Sequence, residues 1–334
     1  MSGKLNFKLG LAKSYGFRGG LYNVLGKISE GLQSDSIALK LFEELGNKHG
    51  VANCYYDVGV AAYGQSNYEE ALKNLFAALK IYNAEAEQRS IFNCYNSVGG
   101  IYNAQGKFSQ ALEYFKMALA VSEQINDKTR IAGAFYDIGL VYFRVGNYPE
   151  AIKNCFSALN LYEEVKEKLG AADCYNFIGI IYENQKSHDE ALKNYASSLK
   201  LYREAGSKDL IAQELQNIGA VYSQEHDSSN ALKYYRLALP LCEETGNKAA
   251  IGNCYCNFGA IYCNVGNTTE ALKNYFISLK MFEDIGNKPS IGDALAGLGN
   301  TFFKQKKYGL AEKYANKALV IANETGSLGI RRPF

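Results

Sequence analysis

The stretch GNCYCNFGAIYCNVGNTTEALKNYFISLKMFEDIGNK, Gly252 to Lys288, decides the fold, because it recurs along almost the whole of a 334-residue chain. Displaced in steps of 40 residues, Gly259 falls on Gly59, Gly99, Gly139, Gly179, Gly219 and Gly299. Ala271 falls in the same way on Ala71, Ala111, Ala151, Ala191, Ala231 and Ala311, and Leu279 on Leu79, Leu119, Leu159, Leu199, Leu239 and Leu319. A fixed period of this size marks a stack of supersecondary units, each burying its apolar face against its neighbours.

Each unit reads as two helices. Ile251, Cys254, Tyr255, Phe258, Gly259, Ile261 and Tyr262 line one face of a 3.6-residue helix, here called A. Ala271, Leu272, Tyr275, Ser278, Leu279 and Phe282 line a second, B. Gly266-Asn267 ends A, and Asn267 with Glu270 predicts a cap and a reciprocal side chain at the start of B, an arrangement repeated at Asn67/Glu70, Asn147/Glu150 and Ser187/Glu190. Gly286, with Gly46, Gly206, Gly246 and Gly326 in its column, supplies the left-handed residue after B. Glycine at 259 and alanine at 271 let the helix pair approach closely, and two aromatic columns on A, one through Tyr102, Tyr142 and Tyr262, the other through Tyr55, Tyr95 and Tyr255, fill the space around that contact.

These residues resemble the tetratricopeptide repeat family: a large aromatic, a Leu-Gly or its equivalent and a Tyr on A, then Ala, an aromatic or Leu, and Ala/Ser-Leu on B. The family's common proline after B is replaced by Asn83, Glu123, Glu163, Arg203, Glu243, Glu283 and Asn323, and the unit exceeds the usual 34 residues. Both departures are similar to the extended repeats of spindle-orientation G-protein-signalling modulators and of kinesin light chains. The resemblance implies an all-α, right-handed α-solenoid of about eight antiparallel hairpins.

Along the chain, residues 1–11 are expected to be a disordered lead. One solenoid follows over 12–325, with repeats near 12–49, 50–89, 90–129, 130–169, 170–209, 210–249, 250–289 and 290–325, and 326–334 form a tail on a chain that can continue in a longer parent. Repeat 1 is degenerate, its helix A weakened by Gly16, Gly19 and Gly20. The last repeat carries Glu312 and Ala315 where others carry larger apolar residues, predicting a more polar outer stripe.

Composition narrows function. A net charge of +2, from 36 basic and 34 acidic residues, argues against nucleic acid, and no apolar run is long enough for a signal peptide or a membrane span. The lysine columns through Lys73 and Lys80 read as solvated surface, partly neutralised by Lys200/Glu204 and Lys280/Asp284. Cys54, Cys94, Cys174 and Cys254 share a column with Ala134 and Ala294 and read as small buried hydrophobes, and unpaired thiols suit the cytosol or nucleus. His49, His188 and His226 share no column, so no metal, cofactor or catalytic constellation is predicted.

The remaining face of A carries amides, acids and tyrosines: Asn53, Asn93, Asp173 and Asn253; Tyr56, Asn96, Tyr136 and Asn176; Asp57, Asp137, Asn217 and Asn257; then Arg144, Asn184 and Asn264. In the family this face lines the concave wall of the superhelix. Amides pair with the backbone of an extended peptide whatever its side chains, so the expected function is a non-enzymatic scaffold that binds a peptide or helical segment of another protein. Asp57, Asp137, Asp173, Glu183 and Asp293 outnumber Arg144 and Lys304, which favours a segment with basic residues. Two readings stay open beside it: the amides bond locally within the protein, or the chain self-associates end to end through its terminal repeats.

Overall fold

The structure, a computed structural model, describes residues 2–325, with side chains from Asn6 onward. Among the described residues are sixteen helices and no strand. The chain divides into two compact units, Met1–Glu167 and Lys168–Phe334. In the first, the hairpins are α1 (Ser2–Val24) with α2 (Ile28–Glu44), α3 (Lys48–Gly64) with α4 (Tyr68–Glu85), α5 (Gln88–Ala104) with α6 (Phe108–Gln124), and α7 (Lys128–Arg144) with α8 (Tyr148–Glu164). In the second they are α9 (Lys168–Asn184) with α10 (His188–Ala205), α11 (Lys208–Gln224) with α12 (Ser228–Thr245), α13 (Lys248–Asn264) with α14 (Thr268–Asp284), and α15 (Lys288–Lys304) with α16 (Tyr308–Glu324). Odd-numbered helices are the A helices of the sequence pattern. No helix of the described residues is long and apolar enough to cross a membrane.

The unbroken columns meet inside each hairpin. A Cβ added at Gly59 would stand 2.9 Å from Leu75, at Gly99 2.7 Å from Phe115, and at Gly259 2.8 Å from Tyr275. Glycine is therefore the residue that admits a large side chain from helix B. The opposing alanines at 71, 111, 151, 191, 231 and 271 are fully buried. Within each unit, packing then runs from one B helix to the next A helix, as where Leu199 joins Leu215 and Ile218 in one cluster. Each fully buried Leu or Phe contributes roughly 1.5–3 kcal/mol, so stability is spread along each unit.

The turns carry the predicted caps at three of the four sites, without the reciprocal side chains. Asn67, Asn147 and Asn267 accept hydrogen bonds from the backbone N–H groups of Glu70, Glu150 and Glu270. Ser187 makes no such bond, and the glutamates point elsewhere: Glu150, Glu190 and Glu270 pair with Lys153, Lys193 and Lys273 one turn on. Gly46, Gly206, Gly246 and Gly286 have φ between +64° and +72°, the left-handed turn that glycine enters without strain. Gly326 and the expected tail at 326–334 lie outside the described residues.

The first hairpin corrects the sequence reading. Residues 2–11, expected as a disordered lead, are helical, and α1 is 23 residues long against 17 for α3. Its last 17 residues, 8–24, are a complete helix A. Lys8 pairs with Glu44 as Lys128 does with Glu164, and Leu9 packs against the buried Ala12, Ala38 and Phe42. The Lys–acid clasp from the first turn of A to the end of B recurs at Lys168–Glu204 (2.9 Å), Lys208–Glu244 (2.6 Å), Lys248–Asp284 (3.1 Å) and Lys288–Glu324 (2.9 Å). Glu204 and Asp284 are thus bonded to Lys168 and Lys248, and Lys200 acts on Glu204 beside Lys168 through its charge. At the other end, the outer stripe of α16 exposes Glu312 as expected, but also Leu319, so it is polar only in part.

Candidate functional site

The A helices lie on the inner side of each unit. Successive A helices touch one another, α1 with α3 and α3 with α5 in the first unit, α11 with α13 and α13 with α15 in the second, and no pair of B helices makes a comparable contact. Charge reaches further across this face. Burial and Tyr68 raise the Tyr63 phenol, Arg144, two repeats on, pulls it down, and Asp137 pushes it up.

Many of the amides and acids predicted to face a ligand bond to the next A helix instead. The Tyr56 and Ser97 hydroxyls join α3 to α5 at 3.3 Å, and the Tyr63 hydroxyl donates to the Gly100 carbonyl at 3.3 Å. Asn96 hydrogen-bonds Asp137, whose carboxyl burial pushes up to about 7 against that bond. In the second unit the Asn176 amide donates to Glu214, and the Gln224 amide to Glu183. Glu214 is fully buried, stands in the Cys54/Ala134 column, and also accepts from Asn217 at 3.3 Å. Burial carries its carboxyl up to about 7, with the Asn176 and Asn217 bonds opposing.

Three more predicted residues serve their own hairpin. The Tyr82 hydroxyl donates to Asn53 and the Tyr202 hydroxyl to Asp173, each at 2.6 Å, and Asn184 donates to the Ile180 carbonyl of its own helix. Asn93, Tyr136 and Asn257 are half-buried on the inner face, and Asn253, Asn264 and Arg144 are exposed there. The local-bonding alternative therefore describes part of the amide ladder, and the part left to meet a ligand is shorter than the sequence pattern suggests.

The structure also shows a feature that the residue pattern did not single out. Asn53, Tyr56 and Asp57 line a cleft of about 930 Å³ in the first unit, whose other wall is α1, with Phe17, Leu21 and Val24. Beneath it Asp35 is fully buried, with Oδ1 unpaired and Oδ2 accepting from Asn23 at 3.5 Å. Burial lifts the Asp57 carboxyl to about 7, helped by the charge of Asp35, and lifts Asp35 to about 6, opposed by Asn23. Asp35 was legible as an oddity: its column elsewhere holds Leu75, Phe115, Cys155, Tyr195, Tyr235, Tyr275 and Ala315.

Cys54, Cys94, Cys174 and Cys254 are buried and unbridged, and burial pushes the thiols of Cys54 and Cys94 up to about 12. They pack as small apolar side chains.

Solved structures share this fold at low identity. The signal-transduction ATPase PH0952 of Pyrococcus horikoshii, which carries a tetratricopeptide repeat sensor, matches with a TM-score of 0.72 and 15% identity over 96% of this chain and 52% of that one, so the chain spans about half of that protein. The apo quorum sensor NprR of B. thuringiensis gives 0.67 and 15% over 91% and 86%. A Rap protein complexed with competence and sporulation factor gives 0.59 and 15% over 98% and 99%. No curated protein matches the sequence. The tetratricopeptide repeat family model matches residues 10–84, 65–124, 130–204, 175–244 and 250–324. With a glycine-alanine contact inside a hairpin of helices every 40 residues, the chain belongs to the tetratricopeptide repeat family.

Proposed function

We propose that the chain is a cytosolic, non-enzymatic scaffold that binds a peptide or helical segment of another protein on the inner face of its A helices. The observation that carries this reading is the composition of that face once its internal bonds are counted. Asn257 and Asn264 sit on α13 with no side-chain hydrogen bond among the described residues, beside Tyr262, while charged side chains are few. Family membership supports it, as do the Rap neighbours whose structures hold competence and sporulation factor or the Phr* peptide. Carboxylates along the face favour a segment that includes a lysine or arginine.

Asn217 is unsuited to a test of this reading, because it holds the buried Glu214. The test is Asn257→Ala with Asn264→Ala, assayed against a partner identified by pull-down and mass spectrometry. Removing one amide hydrogen bond to the partner costs about 0.5–1.5 kcal/mol, so affinity should fall roughly tenfold with no fall in melting temperature. Unchanged affinity would move the site off α13.

One observation favours self-association as a second reading: Leu319, whose column is buried at Leu79, Leu159 and Leu199, is 52% exposed on α16. Against it, Arg18 stands where Val98, Ile138 and Leu298 are buried, stacked on Tyr15 at 4.6 Å, so α1 presents a guanidinium on the face where another repeat would pack. Light scattering across a hundredfold concentration range decides: a constant monomer mass rejects this second reading.

A further inference from the structure

The inner face changes character at the first hairpin. Phe17 stands in the column that holds Asp57, Asp137, Asn217 and Asn257 and, on α9, Phe177, which is buried, while Val24 stands in the column that holds Arg144, Asn184 and Asn264. Repeat 1 thus places two exposed large apolar side chains in columns that later repeats fill mostly with polar residues, Phe177 being apolar but buried. Both are open to solvent, Phe17 by 75% and Val24 by 86%, and Val60 on the facing α3 is 40% exposed. They are not spilled core, since the core of this hairpin is complete around Ala12, Ala38 and Phe42. They stand on one cleft, which Gly16 and Gly20 keep open on the α1 side: a Cβ on Gly20 would meet nothing within 4 Å.

The polar groups of the cleft are arranged by level along the helices. Lys13 and Asn53 share the column nearest the start of A, while Phe17 and Asp57 share the next, one turn further on. Asp57 is paired with no lysine or arginine among the described residues, and the second carboxylate, Asp35, lies close enough behind it to perturb it. At this level the cleft is therefore an apolar wall facing uncompensated acid, and Lys13 at the level before it confines any favourable site for a cation to the Asp57 side.

We propose that this cleft is the anchoring end of the groove, taking a bulky apolar side chain of the partner segment against Phe17, Val24 and Val60 while an adjacent lysine or arginine of that segment pairs with Asp57. The inference rests on the peptide-binding reading above and adds where the segment is anchored and by what chemistry. A desolvated apolar anchor with a neighbouring charge pair is the usual composition of a binding hot spot, and acidic groups at its edge select against acidic competitors.

The experiment is selection of a random twelve-residue peptide library on the full immobilised chain, followed by fluorescence titration of the enriched peptides. Enriched sequences should place Leu, Ile, Met, Phe or Trp within two positions of Lys or Arg. Phe17→Ser with Val24→Ser should weaken them tenfold or more, and Asp57→Asn should weaken them severalfold while sparing peptides whose basic residue has been replaced by glutamine. Val60→Asp, on a different helix, repeats the apolar test should the α1 variant melt early. Peptides that bind and ignore all of these changes, yet fail to bind Asn257→Ala with Asn264→Ala, overturn the anchor and leave the groove standing. Failure to enrich any peptide overturns the groove reading and the anchor with it.

Discussion

Hairpin α1–α2 and hairpin α9–α10 are built on the same columns and filled differently. In α9–α10, Tyr195 lies against Gly179, where a Cβ would stand 2.6 Å from its ring, and its hydroxyl donates to Glu183 at 2.6 Å. In α1–α2, Asp35 lies against Gly19, where a Cβ would stand 1.8 Å from Oδ1, and its partner is Asn23. Glu183 and Asn23 occupy one column, so the contact between positions twelve apart is the same in both hairpins. The glycine makes the space and the fold tolerates either occupant. A ring fills the space and its hydroxyl donates to Glu183; a carboxylate leaves one oxygen orphaned and a cleft above it.

Exchanging the occupants tests this directly and carries the largest expected effect. Tyr195→Asp removes a fully buried ring and installs a carboxylate facing Glu183, which should cost roughly 3–5 kcal/mol or more. Hydrogen exchange should accelerate first in α9, α10 and α11. A variant that melts with the parent would mean that the ring does not hold the hairpin.

The reverse exchange, Asp35→Leu, copies Leu75 at the same column and should stabilise the first unit, with a pH signature that fixes the cause. The Asp35 carboxyl is raised in the fold from 3.8 to about 6, so the protonated form is favoured by folding. Its contribution is full below about pH 4 and is lost as pH rises through 6. Asp57 and Asp137, raised to about 7, act in the same direction at slightly higher pH. The parent should therefore lose melting temperature between about pH 4 and 7, and Asp35→Leu should remove the lower part of that slope. A gain in stability that is equal at pH 4 and pH 8 would show packing alone to be responsible.

A smaller effect separates glycines that make space from glycines that only loosen a helix. Gly179→Ala gains about 1 kcal/mol of helix propensity, but its Cβ must displace the Tyr195 ring, and overpacking typically costs about 1–3 kcal/mol. Gly20→Ala gains the same propensity and meets nothing. Thermal melts should move in opposite directions, down for Gly179→Ala and up for Gly20→Ala. Movement in the same direction would remove the steric account of the column.

The repeat, its two helices and the capping asparagines were readable from residue identity, because a column such as Gly59 to Gly299 records one steric demand seven times. The fate of the amides was not readable in this way. Tyr56 with Ser97, Asn96 with Asp137 and Glu183 with Gln224 are all 41 positions apart, one repeat and one residue. That offset has meaning only once successive A helices are known to be neighbours with a slight stagger. Asn217 looked like Asn257 for the same reason, and differs because Glu214 replaces a small residue one turn earlier. The role of Lys8 was hidden because the glycines of α1 suggested a weak helix, although it stands in the Lys48, Lys128 and Lys168 column.

The smallest effect concerns what the two kinds of hairpin share. The clasp from the first turn of A to the last turn of B occurs at Lys8–Glu44 in the hairpin with the polar interior and at Lys208–Glu244 in one with an aromatic interior. Both pairs are largely exposed, so each should contribute no more than about 1 kcal/mol, and less in high salt. If the clasp acts independently of the filling, Lys8→Ala and Lys208→Ala will lower stability by equal small amounts, and double-mutant cycles with Glu44→Ala and Glu244→Ala will return equal coupling that vanishes at 1 M salt. If instead the carboxylate-filled hairpin leans on its clasp to stay closed, the Lys8 cycle will give the larger coupling and Asp35→Leu will reduce it to the Lys208 value. The two couplings are read from chemical denaturation of six single and double variants, the effect of Asp35→Leu from the Lys8 cycle repeated on that background, and coupling in the Lys8 cycle that exceeds the Lys208 value would show that the space beneath Gly19 is not equivalent to the space beneath Gly219.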